Sequence, residues 1–519
     1  TIPQTTNSTA CCSACVADTD CISFTLNTHA KACYLHPGWA TVQSGDCVSG
    51  QVRAVPPTPA PVPIVPAPPG AKNVLMLIVD DLRPEVASYG EKFMHTPNID
   101  RLAGSGVAFS RAYCQQAICG PTRNSFLSGR RPQRTQAWNF INSFRQAPGG
   151  EAWLSFPEWF KTHGYITLGT GKTFHPGLPP NWDEPRSWSQ DMPYYFSPNA
   201  YPQCKEWPGS LACPTDDNIE SYSDYLDMAK TIEEIDYAVN QSKPFFLAFG
   251  AHRPHLPWNC PRQFWDLYAP TESIALPLHE EAPEGMPPIA FTYECDGMTT
   301  LKCFDKVYPI PYPNASTALP ANGTRSFRRA YMACVSFTDF LIGKLLDKIE
   351  SVGRTKDTVI ALIGDHGWTL GEHNIWGKHN NFELGTRVPF VISAPGLATG
   401  FVSDLVESVD LYPTVSVLAG LGAPPDVDGT DLSPYFHKDG PRPVGKQAAF
   451  SEYPRCPSNV SKPWGDTTSC VHTPRHMFTV MGYSVRTLEW RYTVWLRWDG
   501  ANLVGNFAAP AVGVELYSH

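Results

Sequence analysis

The sequence predicts an α/β fold: a large mixed, mostly parallel sheet sandwiched by helices, a smaller antiparallel subdomain at the C-terminus, and a small disulfide-rich module at the N-terminus. Three observations carry this. From residue 73 onward, short apolar runs rich in Val, Ile and Leu alternate with stretches of helical periodicity, the pattern of parallel strands covered by helices. The 519 residues, 42% hydrophobic and 12% aromatic, supply a core larger than one ordinary domain needs. Between residues 55 and 69, "VPPTPAPVPIVPAPP" cannot pack as helix or sheet, because proline lacks the amide donor and fixes φ. The resulting division is a Cys-rich module at 1–54, an extended linker at 55–70, a main α/β domain at 71–440 and a C-terminal subdomain at 441–519.

In chain order, six of the sixteen cysteines (Cys11, Cys12, Cys15, Cys21, Cys33 and Cys47) crowd the first fifty residues. That density reads as a disulfide framework and therefore an oxidising compartment. Sequons at Asn7, Asn240, Asn314, Asn322 and Asn459 point the same way, and a start at Thr1 suits a mature or trimmed secretory product. A secreted or lysosomal location is expected. The segment "CCSACVADTDCISFTLNTHAKACYLH" resembles the PAN/apple-like modules, which implies a glycan or protein ligand, although a disulfide-bonded stalk without ligand explains the cysteines as well. Expected strands follow at 73–81, 166–171, 244–251, 358–365 and 388–395, with a long helix at 326–352, and "FTVMGYSVRTLEWRYTVWLRW" at 478–498 reads as antiparallel strands. The longest apolar runs are too short to cross a bilayer. A formal charge of −9 argues against a nucleic-acid binder, so an anionic substrate must be met by local clustering of cations.

Four expected strands end in polar clusters: Asp80-Asp81, Lys172 with His175, His252 with His255, and Asp365-His366. Ligands of open α/β sheets sit beyond the carboxyl ends of strands, so these groups should converge. Each cluster taken alone has an ordinary explanation. An Asp pair caps a helix, "GKTFHPG" and "AHRPHLP" make turns, and Lys378 in "WGKHNNF" is a solvated lysine. Cys119, in "QQAICGPTRNSFLSGRR", can on its residues alone be half a disulfide, a buried thiol, a nucleophile or a precursor of another group.

Taken together and in this order, the set resembles the type I sulfatases of the alkaline-phosphatase superfamily, nearest the iduronate-2-sulfatase-like branch. The motifs that carry the resemblance are "CGPTRNSFLSGR", "VDDLRPEVASYG", "TPNIDRLAGSGVAFSRAY", "GKTFHPG", "HRPHLP", "GDHGWTLGEHNIWGKHNNFELGTRVPF" and "MGYSVRT", across about residues 72 to 517. The resemblance implies that Cys119 is oxidised by a formylglycine-generating enzyme to formylglycine (3-oxoalanine). One hydroxyl of its hydrate attacks sulfur, and the other later loses a proton to expel sulfate. It implies a Ca2+ ion held by Asp80, Asp81, Asp365 and His366 with an oxygen of residue 119; carboxylate oxygens favour calcium over zinc. Arg123 becomes a fixed cation beside the diol, and Pro121 helps aim first-turn amides at an anion. Lys172, His252 and Lys378 bind the sulfate oxygens, Lys378 or His252 protonates the leaving sugar oxygen, and His175 serves as base during sulfate release.

Arg134, Trp368 and His379 are the expected substrate contacts, with Arg134 facing a uronate carboxylate because Gln136 occupies the aligned place. The insertion at 176–235, with its aromatic residues and a Cys204–Cys213 bridge, should wall a sugar pocket. Relatives continue past the equivalent of "VGVELYSH" into a closing segment, so an incomplete C-terminal subdomain is expected. Of the ten cysteines after the linker, nine remain once Cys119 is converted, so at least one is unpaired, with Cys334 the candidate. The expected function is an exo-acting sulfatase on a sulfated polysaccharide or oligosaccharide. The alternatives are a formylglycine-type phosphodiesterase or phosphonate hydrolase, and a catalytically silent carbohydrate-binding protein.

Overall fold

The computed structural model describes residues 63–197, 202, 204, 212–292, 318–437, 443–457 and 470–519, with the backbone of four short strands before residue 52. Its centre is a seven-stranded sheet. In chain order the strands are β1 (Asn73–Val79), β2 (Val107–Tyr113), β3 (Ile166–Gly171), β4 (Phe245–Ala251), β5 (Thr358–Gly364), β6 (Arg387–Ser393) and β7 (Gly400–Glu407). Across the sheet they run β7-β2-β6-β5-β1-β4-β3. Every pairing is parallel except the two made by β6, which is antiparallel to β5 and β2. The sheet is therefore mixed and mostly parallel. The run expected at 388–395 is its one reversed strand.

Alternation along β1 decides the layers. Leu75, Leu77 and Val79 point into a core shared with the long helix Ala321–Ser351, whereas Val74, Met76 and Ile78 point into a second core with Phe126, Phe156 and Tyr412. Successive strand residues face opposite sides, so an uninterrupted apolar run is what a strand covered on both faces needs. In the long helix Phe327, Tyr331, Leu341, Leu345 and Ile349 recur at the helical repeat and are fully buried; each large apolar side chain there contributes roughly 1.5–3 kcal/mol.

Register brings the polar strand ends together. Gly364 pairs with Val79, Val79 with Ala251, and Gly171 with Gly250. The residues that follow these partners therefore emerge side by side along one edge.

A second sheet of antiparallel strands joins β8 (Ala449–Arg455), β9 (Val480–Arg486), β10 (Trp490–Asp499) and β11 (Gly513–Ser518), with Val504–Gly505 adding to β10. It docks beside the main sheet through Glu452 N–H to Gln115 O at 2.8 Å and Ser451 Oγ to Cys114 O at 2.6 Å.

The Cys204–Cys213 disulfide is present, and a Cys456–Cys470 disulfide joins the second sheet to the turn that follows. Cys334 is a free buried thiol, as are Cys114, Cys119 and Cys260. The described part of the insertion at 176–235 leads into the helix Ser223–Val239, which lies against β3 and β4. Trp182 stacks on Tyr194 at 4.7 Å, Trp188 is buried, and the Tyr194 hydroxyl donates to Thr170 O and Gly171 O. These aromatics brace the end of β3.

The bridging of the six N-terminal cysteines lies outside the described residues, as does residues 55–62 of the linker. From residue 63 the linker runs without regular structure, and Val65 N–H bonds to Thr162 O. No helix among the described residues is long and apolar enough to cross a membrane.

Candidate active site

The site is built on the helix α1, Cys119–Ser128, which opens at Cys119 after an extended Ile118. Ile118 offers no side-chain cap, so the first-turn amides are left for other acceptors. Thr122 Oγ1 donates to Asp365 O at 3.0 Å and ties this turn to the end of β5.

Cys119 Sγ is completely buried, between two lysines and a histidine. Lys378 Nζ lies 3.1 Å away, His366 Nε2 3.4 Å and Lys172 Nζ 3.6 Å. Burial and the Asp80 charge push the thiol pKa up against the pull of Lys172 and Lys378.

Lys172 is placed by backbone contact. Its N–H donates to Gly250 O, and a Cβ on Gly171, whose φ is +60°, would lie 2.2 Å from that same oxygen. Only glycine lets β3 and β4 close at this point. Lys172 Nζ then pairs with Asp80, whose charge raises the lysine pKa despite burial. Burial opposes ionisation of Asp80, yet Lys172, His255, Arg123 and Lys378 together hold its carboxyl well below the ordinary carboxylate range.

Asp80, Asp81, Cys119 and His366 each offer a ligand atom within 4.8 Å of the others. Asp81 Oδ1 receives Lys378 Nζ at 3.0 Å, while its Oδ2 is buried without any hydrogen-bond partner. A buried carboxylate oxygen left open in this way fits a cation. His366 is oriented for the same purpose. Its Nδ1–H donates to Gly367 O at 2.9 Å, which leaves the Nε2 lone pair facing Asp81 at 3.4 Å. Asp365 stands at the back of the group. Its Oδ1 accepts Asp81 N–H at 3.0 Å and His366 N–H at 2.8 Å, and burial with the neighbouring Asp80 raises its pKa.

Arg123 does more than stand beside the nucleophile position: Nε donates to Asp365 at 2.9 Å, Nη2 to Asp80 at 3.3 Å and Nη1 to Thr173 O at 3.2 Å. It is the brace that lets two carboxylates share a dry pocket.

His175 is held on one face by the Phe140 ring, stacked at 4.3 Å and 16°. Burial and Lys172 push its pKa well below the usual histidine value, and its buried Nδ1 has no hydrogen-bond partner. Burial, His255 and Lys172 do the same to the His252 pKa. The backbone N–H groups of His252 and Arg253 both donate to Asp224 Oδ1.

The expected residues Asp80, Asp81, Cys119, Arg123, Lys172, His175, His252, Asp365, His366 and Lys378 thus meet. Of the expected substrate contacts, Trp368 is buried with its ring 5.4 Å from the Lys378 ammonium, and His379 is buried against Tyr453. Arg134 is not brought in. Its guanidinium pairs with Asp426 at 2.8 Å and Asp428 at 2.9 Å and lies over Trp153.

His255, expected to converge with His252, does so: its Nε2 sits 4.0 Å from Asp80. Three further contributors were not marked in the sequence. Asp224, Phe140 and the Tyr331 hydroxyl, which donates to Asp81 O, are helix or loop residues with no local pattern to mark them.

Basic groups and metal-capable ligands gathered around a helix N-terminus, beyond the ends of parallel strands, define an ester hydrolase that handles an anionic centre. The chain belongs to the sulfatase family, whose model matches residues 72–421, and it is a sulfuric ester hydrolase. A PAN domain model matches residues 1–49. The chain is 35% identical to iduronate 2-sulfatase of Homo sapiens over 503 residues, covering 86% of this chain and 89% of that protein. In fold it is similar to a phosphonate monoester hydrolase from Silicibacter pomeroyi, with a TM-score of 0.64, 20% identity and coverage of 86% and 89% of the two chains. It is likewise similar to a structure solved with its substrate D-glucosamine-2-N,6-O-disulfate, with a TM-score of 0.60, 20% identity and coverage of 84% and 93%.

Proposed function

We propose that this protein releases sulfate from a sulfated, uronate-bearing polysaccharide or its oligosaccharides, acting from the chain end in the manner of an iduronate 2-sulfatase, in a secreted or lysosomal setting. The observation that carries this reading is the position of Cys119 Sγ, shared by Lys378, Lys172 and His366 beside an open Asp81 oxygen. The 35% identity to a protein named for iduronate 2-sulfate supports the substrate class.

Residue 119 is read as formylglycine, so Sγ marks where an oxygen of the modified side chain belongs. When present, that group supplies a hydrated aldehyde whose hydroxyl attacks sulfur. Calcium fits the oxygen-rich donors Asp80, Asp81 and Asp365 with His366, and would neutralise charge on the sulfate.

The remaining roles belong to the chain itself. Lys172 and Lys378 are fixed cations beside the nucleophile position, preorganised for the charge that grows on sulfate oxygens. Lys378 Nζ lies 3.1 Å from Sγ, which places it to act as the acid for the leaving sugar oxygen. His252, whose pKa is depressed, serves in its neutral form as a hydrogen-bond partner of the sulfate. His175, also held neutral, is the base for the proton lost when sulfate leaves. Trp368 shields Lys378 from water from below.

The test is peptide mass spectrometry of residue 119 in protein from its native host, paired with sulfate-release assays on sulfated uronate oligosaccharides, an aryl sulfate and a phosphonate ester. Formylglycine at 119 with the highest kcat/KM on the oligosaccharides is expected. An unmodified Cys119 in active protein, or preference for the phosphonate, would overturn the reading.

A further inference from the structure

If the substrate is a sulfated saccharide, as proposed above, some group beyond the sulfate pocket must read its other anionic substituents. Arg134, already neutralised by Asp426 and Asp428, has little field left for one.

The geometry points to His472, on the turn that the second sheet delivers to the rim of the pocket, as the residue that binds an anionic group next to the reacting sulfate ester. Phe140 is the link. It stacks on His175 and sits against the first turn of α1, where a Cβ on Gly120 would come within 2.9 Å of its ring. His472 meets that same ring edge-on at 6.1 Å. The exposed imidazole is thus one aromatic ring away from the proposed base. A sugar whose sulfate lies between Lys172 and Lys378 can extend past His175 and across Phe140 toward it.

The turn is firmly held. Phe140 N–H donates to Val471 O at 2.7 Å, Asn139 Nδ2 to Thr473 O at 2.9 Å and Arg475 Nη1 to Gln136 O at 3.2 Å, while the Cys456–Cys470 disulfide closes its base. A contact residue on a turn so anchored loses little freedom on binding.

Cys470 and Val471 are buried, but His472 is exposed and makes no hydrogen bond or ion pair among the described residues. His472, Arg475 and His476 put three basic side chains within five positions, in a chain of formal charge −9. Such a local cluster is what an acidic protein needs to attract a polyanion.

The shared chemistry is an anionic oxygen group, either a carboxylate or a second sulfate. Binding is measured by calorimetry on full-length Cys119→Ala protein, with and without His472→Gln, using a sulfated uronate tetrasaccharide. Weakening of about three- to tenfold is expected, the range for a polar contact to an anion at an exposed rim. A carboxyl-reduced tetrasaccharide abolishes that difference if the partner is the carboxylate, and a partially desulfated one abolishes it if the partner is a second sulfate.

In the formylglycine-bearing enzyme, His472→Gln should raise KM for the oligosaccharide with kcat nearly kept, and lose more kcat/KM there than on a small aryl sulfate. Unchanged binding, a difference that persists with both altered saccharides, or equal losses on both substrates would overturn the assignment. Failure of the parent enzyme to release sulfate from any ester would defeat the substrate reading alone, because the binding comparison needs no turnover.

Discussion

Asp81 shows how much one residue decides. Its φ of +59° turns the carboxylate back beneath the strand ends, where Oδ1 meets Lys378 and His366 while Oδ2 stays open. Asp81→Asn removes the charge from that donor and halves its oxygen count. It should lower calcium retention about 10- to 100-fold or more, measured by metal analysis after gel filtration. Wild-type retention in the variant would remove Asp81 from the ligand set. Phe140 sets a second property, because its ring shields His175 and helps keep the imidazole neutral. A base whose pKa is depressed stays unprotonated further into acid, so the acid limb of kcat, which includes the sulfate-release step, should fall below the ordinary histidine value of about 6.5. Phe140→Ala admits water and should move that limb upward. A profile that does not move would show that Lys172, rather than burial, sets the shift.

At the scale of elements, the site depends on how closely β3 and β4 approach. Gly171 lies where a side chain would strike Gly250 O, and its backbone is in the left-handed region. Gly171→Ala should therefore cost about 1–3 kcal/mol of stability and push Lys172 away from Asp80, lowering kcat more than tenfold. Denaturation and kinetics on the same preparation read both effects; a loss of stability with kcat intact would separate the strand junction from the chemistry. The helix α1 is the complementary element. Its first turn is pinned by Thr122 to Asp365 O on one side and overlain by Phe140 on the other, so residue 119 cannot drift relative to β5.

At the scale of the molecule, buried carboxyls set a pH optimum for stability. Burial lifts Asp227, Glu234 and Glu452 to about 8 and Asp339 to about 6. A carboxyl whose folded pKa is raised contributes stability that is fully present below its unfolded pKa and lost as pH climbs through the folded value. Glu372 and Glu383 have the opposite sign. Burial is outweighed by Arg83 and Arg328 at Glu372, and by Arg491 and Arg486 at Glu383, and both are held at about 2. Their contribution is present above the unfolded carboxylate pKa and is lost as pH falls toward 2. The melting temperature should peak near pH 5, roughly where the two windows meet, and decline steadily toward pH 8. Glu452→Gln should flatten the decline, and a melting temperature that rises from pH 5 to 8 would contradict the assignment.

The sequence by itself determined the strands whose residues are apolar without interruption, since burial on both faces writes itself into composition: 73–79, 166–171, 245–251 and 358–364 were all legible. It also marked the basic and metal-capable members of the central cluster, because polar residues directly after such strands have few structural uses and their motifs are dense. The strands β2 and β7 were not singled out; β7 is an edge strand with exposed residues, and its pattern is diluted. Only the tertiary structure decided that β6 runs against its neighbours, that the aromatics of the 176–235 insertion brace β3, and that Arg134 belongs to Asp426 and Asp428. The same holds for Phe140 and His472, which lie 332 positions apart and meet only through the docking of the second sheet. Partnership between distant side chains depends on which surfaces pack, and no local periodicity records that.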